Sequence, residues 1–178
     1  MITSVHVVVM GVSGCGKSTI ARHLRDEFGL LMAEADDFHP PGNIAKMAGG
    51  EPLTDDDRWP WLEALAEWTA GRKAAGTSTV LACSALKRSY RDVLRRPAPG
   101  TYFLHLHGPE ELLDRRMRAR DHFMPPALLR SQFETLEPLR PDEHGTLLDV
   151  SPPAGEVARQ AATLIRPLVP ADPGDERD

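Results

Sequence analysis

The sequence predicts an α/β fold in which helices cover both faces of a parallel sheet. Three observations carry that expectation. Five short apolar segments alternate with stretches of helical periodicity, the pattern that βαβ units with right-handed crossovers produce. The first segment, "VHVVVM" (Val5–Met10), is rich in β-branched residues and runs straight into a glycine-rich turn. The conspicuous polar residues cluster at Gly11–Ser18, Asp36–His39 and Ser84–Lys87, where the carboxyl ends of strands should lie. In open parallel sheets ligands bind at that edge.

The elements follow in order. After the first strand, Ile20, Ala21, Leu24 and Phe28 fall at helical spacing over Lys17–Phe28, and Gly29 is placed to end the helix. "LLMAEAD" reads as a second strand reaching Asp36, "STVLAC" (Ser78–Cys83) as a third, "TYFLHLH" (Thr101–His107) as a fourth and "TLLDV" (Thr146–Val150) as a fifth. Helices are predicted over Pro60–Ala70, Leu86–Arg96, Glu110–Arg120, Pro126–Leu136 and Gly155–Leu168. No repeat or long linker divides the chain, so one domain over residues 1–168 is expected. The tail, 169–178, has little to bury and is expected to be disordered.

Composition narrows the function classes. Of 178 residues, 21 are Lys or Arg and 26 are Asp or Glu, a formal net charge of −5, which argues against a nucleic-acid binder. The apolar run at Val5–Met10 is far too short to span a bilayer and lacks the features of a signal peptide. Cys15 and Cys83, the two cysteines, cannot make a disulfide framework, and a cytoplasmic protein is expected.

Gly11-Val12-Ser13-Gly14-Cys15-Gly16-Lys17-Ser18-Thr19 matches G-x-x-x-x-G-K-[ST] at every fixed position, between a predicted strand and a predicted helix. Glycines let successive backbone N–H groups turn toward phosphate oxygens, and the helix start adds partial positive charge. Lys17 is expected to reach the β- and γ-phosphates of ATP and Ser18 to ligate Mg²⁺. Nothing resembles the apolar-run-plus-Asp of an ATPase motor or the N-K-x-D of a guanine site. A kinase for a nucleotide or metabolite fits better.

Three further stretches hold the acceptor candidates. Asp36 either orients an acceptor hydroxyl or, with Asp37, merely caps a turn; His39 follows closely. In "PLTDDDRWPWLEAL", Asp57 or a neighbour is a candidate N-cap with Pro60 in the first helical turn, and the tryptophans pack that helix onto the body. Arg58 has two open readings, clamp for an anionic acceptor or partner of the local aspartates. Lys87 lies just past a buried strand, in a chain where lysine is scarcer than arginine. Arg88, Arg91, Arg95 and Arg96 share a helix side that reads mostly as a solvated face, but Arg91, one turn beyond Lys87, joins the acceptor candidates. Arg116 and Arg120 stand at i, i+4, followed by His122 and a Pro-Pro pair, which suits a helical lid over about 116–136 that shields the transferring phosphate from water.

"GVSGCGKST", "DDFHPPGNIAKMAGGEPLTDDDRWPWL", "CSALKRSYRDVLR" and "HFMPPALLRSQFETLEPL", in this order, resemble the gluconokinases, small P-loop kinases related in fold to nucleoside monophosphate kinases. The resemblance runs from Val5 to about Val157. It implies a sheet of order 2-3-1-4-5, a homodimer, and transfer of phosphate from ATP to the 6-hydroxyl of D-gluconate. It also implies Arg58, Lys87 and Arg91 near the acceptor, Asp36 and His39 beside its hydroxyl groups, and Lys17, Arg116 and Arg120 around the transferring phosphoryl group. Cys15 stands where such cradles most often have serine, and His122 follows Arg120 one residue sooner than the family pattern. Rival readings are a shikimate- or nucleotide-type kinase of the same fold, although the Gly-Gly-Gly loop of shikimate kinases is missing, and a nucleotide-binding regulatory module.

Overall fold

A central strand of five buried residues, β1 (His6–Met10), organises the molecule. The computed structural model describes residues 3–119 and 126–171. Helix α1 (Lys17–Phe28) follows β1 and closes on Gly29, whose N–H donates to the carbonyl of Arg25. Then come β2 (Leu31–Glu34), a 3₁₀ turn (Ala35–Phe38), α2 (Pro41–Ala48) and α3 (Asp55–Ala74). The second half runs β3 (Thr79–Ala82), α4 (Arg88–Arg95), β4 (Tyr102–His107), α5 (Glu110–Arg118), α6 (Pro126–Thr135), β5 (Gly145–Asp149) and α7 (Ala154–Ile165).

All strand pairs are parallel and the order is β2-β3-β1-β4-β5. Val7, Val8 and Val9 stand beside Val80, Leu81 and Ala82 of β3 on one side and Tyr102, Phe103 and Leu104 of β4 on the other. Such continuous apolar runs are what a sheet covered on both faces requires. Helices flank it, with α1 against α7 and α3 against α4. Burial falls off at the edge strands, where Leu31 and Leu147 are exposed. Among the described residues no helix is long and apolar enough to cross a membrane.

Three sequence expectations need correction. The second strand stops at Glu34, and Asp36 belongs to the 3₁₀ turn after it. Helix α3 starts at Asp55, earlier than the predicted Pro60. Its N-cap is Thr54, in a capping box with Asp57, and Pro60 sits inside the helix. Proline there forfeits its own bond to the carbonyl four residues back, and its ring crowds that carbonyl. Helix α2 is an addition: the Pro-Pro pair and Gly42 obscure it, although Pro41 is a good first helical residue. The expected tail lies, but for residues 169–171, outside the described residues.

Candidate active site

The cradle is a backbone device. Met10 ends β1, and the N–H of Gly11 donates to the Ser84 carbonyl (3.2 Å) in the loop after β3. The chain then turns so that Gly16, in the left-handed region (φ 94°), leads into α1 with no side chain capping the helix. The first N–H groups of a helix have no internal partner, so this start is suited to an anion. A Cβ on Gly16 would meet nothing within 4 Å, whereas one on Gly14 would come within 2.7 Å of Met117 Cγ on α5. Gly14 therefore lets α5 pack flush against the loop. Lys17 Nζ donates to the carbonyls of Gly11 and Val12, at 3.1 Å each, which holds the ammonium across the loop. Cys15 is buried and Ser18 is half-buried in the first turn of α1.

The turn carrying Asp36 is fixed from behind. Trp61 of α3 donates its indole N–H to the Ala35 carbonyl (2.7 Å) and stacks on the His39 ring, 4.2 Å between centroids. Asn43 bonds the Asp57 carbonyl (2.8 Å) and His39 Nδ1 (3.2 Å). The His39 side chain is only 3% exposed and its Nε2 lies 3.7 Å from Asp36, whose side chain is 86% exposed. Burial lowers the His39 pKa, the Asp36 carboxylate raises it and Arg58 lowers it, so the imidazole stands between a carboxylate and a guanidinium. His39, expected at the acceptor, is thus buried behind the turn against Trp61 and Asn43, while Asp36 is exposed. Asp36 and Lys17 both act on the buried Cys83 thiol, pushed up to about 12 mainly by burial, with Asp36 adding to the rise and Lys17 opposing it.

Two cations converge on one carboxylate beside this turn. Lys87 Nζ reaches both oxygens of Asp55 at 3.1 Å, and Arg58 Nη1 lies 3.8 Å from the same group. Tyr90 connects them: its hydroxyl donates to Asp55 and accepts from Arg58 (2.9 Å). Arg58 and Lys87 also face the Tyr90 ring, 5.4 and 5.6 Å from its centroid. Trp59 packs edge-on against that ring. The tyrosine hydroxyl and Lys87 hold the Asp55 carboxyl below its ordinary range. Arg58 thus has an aspartate partner, as one of its two readings expected, inside a cluster that opens to solvent.

Arg91 is corrected more sharply. It is fully buried, neither on a solvated face nor facing an acceptor. Its five N–H donors go to the Glu143 carboxylate (2.6 and 3.1 Å) and the carbonyls of Ala85, Leu86 and Pro138. Ala85 is buried at φ 47°, left-handed backbone that a side chain disfavours by about 1–2 kcal/mol. Arg91 therefore pins the strained loop from which Lys87 projects and ties it to the segment after α6. Burial pulls the Glu143 carboxyl up, but Arg91 and the Arg140 N–H hold it below its usual value.

The chain as a whole is similar to proteins of known kind. A family model described as an AAA domain matches residues 7–139. A gluconokinase from Gluconobacter oxydans is 49% identical over 138 residues, covering 77% of this chain and 78% of its own length. The crystal structure of a gluconokinase from Sinorhizobium meliloti superposes with a TM-score of 0.85 at 47% identity, covering 94% of each chain. The chain belongs to the gluconokinase family. A sugar kinase from Janibacter sp. HTCC2649 aligns at 55% identity with a TM-score of 0.89, over 95% of this chain and 99% of its own.

Within this gluconokinase chain, sequence reasoning missed three contributors. Asp55 and Tyr90 form the cluster with Arg58 and Lys87, and the only sequence signal was the "DDD" run preceding Arg58. Gln132 on α6 accepts the Ser13 N–H through its side-chain carbonyl (2.7 Å), linking α6 to the cradle. Arg116 is half-buried on α5 and, after Ser151 and His107, helps to lower the Asp149 carboxyl. Arg120 and His122 lie outside the described residues. Among the described residues no group of His, Cys, Asp and Glu is arranged as a metal cage.

Proposed function

We propose that this protein is an ATP-dependent gluconokinase that transfers the γ-phosphoryl group of ATP to the 6-hydroxyl of D-gluconate, giving 6-phospho-D-gluconate and ADP. The observation that carries this reading is the convergence of Arg58 and Lys87 on a single carboxylate, close to the turn that holds Asp36 outward. Gluconate is a linear polyol with one carboxylate at one end and the reacting hydroxyl at the other. A cationic subsite and a separate hydroxyl-facing carboxylate fit those two ends.

In this mechanism the N–H groups of Gly14 to Thr19 and the Lys17 ammonium bind the phosphates. The uncapped start of α1 and the open space at Gly16 suit a nucleotide phosphate, and the Ser18 hydroxyl would be the protein ligand for Mg²⁺. Bound Mg²⁺ supplies charge neutralisation on the phosphate oxygens and a template for their geometry. Arg58 and Lys87 hold the gluconate carboxylate, which fixes the far end of the chain in register. Asp36 accepts the proton of the 6-hydroxyl as its oxygen bonds to the γ-phosphorus and the bond to the ADP oxygen breaks. Lys17, Arg116 and Arg120 stabilise the charge on the phosphoryl group in transit. A lid over about 116–136, part of it outside the described residues, would keep water out. The same reading makes the enzyme a cytoplasmic homodimer, a state that light scattering on the purified protein measures.

The decisive assay is ADP release with ATP and Mg²⁺, with and without an acceptor. Gluconate should raise the rate by orders of magnitude, and shikimate and AMP should not. Equal rates with all additions, or a preference for shikimate or AMP, would overturn the assignment.

A further inference from the structure

The charged cluster contains more than an anion needs. Two cations without Asp55 would attract any anion, and the more highly charged the better. Asp55 is not required for the start of α3, because Thr54 and Asp57 already form the capping box and Asp57 also pairs with Lys46 at 2.8 Å. Its carboxylate instead crosses to Lys87 and Tyr90, 32 and 35 residues away in sequence. It is 43% exposed, so it sits at the solvent edge of the cluster, where an incoming acceptor arrives. With Arg58 and Lys87 positive and Asp55 negative, the cluster carries one net positive charge.

We infer that Asp55 sets the charge class of the acceptor, admitting a monocarboxylate and disfavouring a dianion such as a phosphate ester. This rests on the gluconokinase reading above. A single carboxylate balances the net charge of the cluster and shares Lys87 and Arg58 with Asp55. A dianionic group brings one charge too many and lies against the Asp55 carboxylate, a built-in repulsion of the kind that gives specificity. Tyr90 keeps that carboxylate in place by donating its hydroxyl to it, while the rigid packing of Trp59 on Tyr90 fixes the donor.

The test measures inhibition competitive with gluconate, at saturating ATP and constant ionic strength, by acetate as a monoanion and sulfate as a dianion. For Asp55→Asn the ratio of the acetate to the sulfate inhibition constant should rise about tenfold over wild type, since one nearby negative charge no longer opposes the second charge of sulfate. Asp55→Ser, a second neutral variant in case the first folds poorly, should behave alike, and Asp55→Glu should keep the wild-type ratio. A merely structural role would change both inhibitors together and leave the ratio alone. An unchanged ratio in both neutral variants, with wild type turning over gluconate, overturns this inference alone. No turnover of gluconate by wild type overturns the gluconokinase reading and this inference with it.

Discussion

A single continuous run from Gly11 to Thr19 supplies the phosphate cradle, whereas the acceptor side proposed above draws Asp36, Asp55, Arg58, Lys87 and Tyr90 from separated segments. The cradle works through backbone N–H groups, so its requirements are glycines, one lysine and a helix start, all local. The proposed acceptor side would work through side chains that must be aimed, and three of the five have a support outside the cluster. Trp61 and His39 hold the turn of Asp36, Trp59 holds Tyr90, and Arg91 with Glu143 holds the loop of Lys87. Damage to the cradle should therefore appear as lost chemistry, and damage behind the acceptor side as lost stability or lost acceptor affinity.

The largest expected effect sharpens the cradle half of that contrast. Lys17→Ala should lower kcat by about 10³–10⁵-fold, the range for a charged group that stabilises a transferring phosphoryl group, with the melting temperature close to wild type. Retention of near-wild-type kcat would show that the lysine does not touch the reacting phosphate. Next, Asp36→Asn should cost about 10²–10⁴-fold in kcat while ATP binding, measured by calorimetry, is preserved. Unaltered turnover would make Asp36 a turn residue only.

The support half is tested by stability. Arg91→Met leaves the Glu143 carboxylate buried without its partner, which should lower unfolding free energy by about 3–5 kcal/mol in urea titrations. Adding Glu143→Leu should recover much of that loss. A single variant as stable as wild type would mean that the clamp is dispensable.

Part of this contrast was legible before any coordinates. The cradle and α1 were readable because one residue type per position decides their geometry, and the helix was found with its bounds intact. The alternation of five strands with helices likewise gave the class of sheet. Arg91 was misread because helical spacing shows which side of α4 a residue occupies, but not that Glu143 and the carbonyls of Ala85, Leu86 and Pro138 enclose it. Asp55 was passed over for a related reason: its partners lie on another element, and no local pattern separates it from Asp56 and Asp57.

His105 gives a smaller, pH-dependent effect that belongs to neither region. It lies buried on β4, with neither ring nitrogen meeting a hydrogen-bond partner among the described residues. Burial, and then the neighbouring His107 and Arg91, lower its pKa to about 4 from 6.5. The folded state therefore keeps it neutral while the unfolded chain takes up a proton as pH falls below 6.5. Stability is full above that value and declines toward pH 4, by about 3 kcal/mol from this group. Denaturant midpoints for wild type and His105→Phe across that window should diverge as pH falls, and parallel curves would exclude His105 as the source.

The central claim is that cations on two different elements grip the acceptor carboxylate independently of the phosphate cradle. The most direct measurement is the pair of Michaelis constants for Arg58→Met and Lys87→Met. Loss of a hydrogen bond to a charged group costs about 1.5–3 kcal/mol, so KM for gluconate should rise roughly 10- to 150-fold in each variant while KM for ATP stays within about twofold. An unchanged KM for gluconate in both variants, or a matching rise in KM for ATP, would contradict the account.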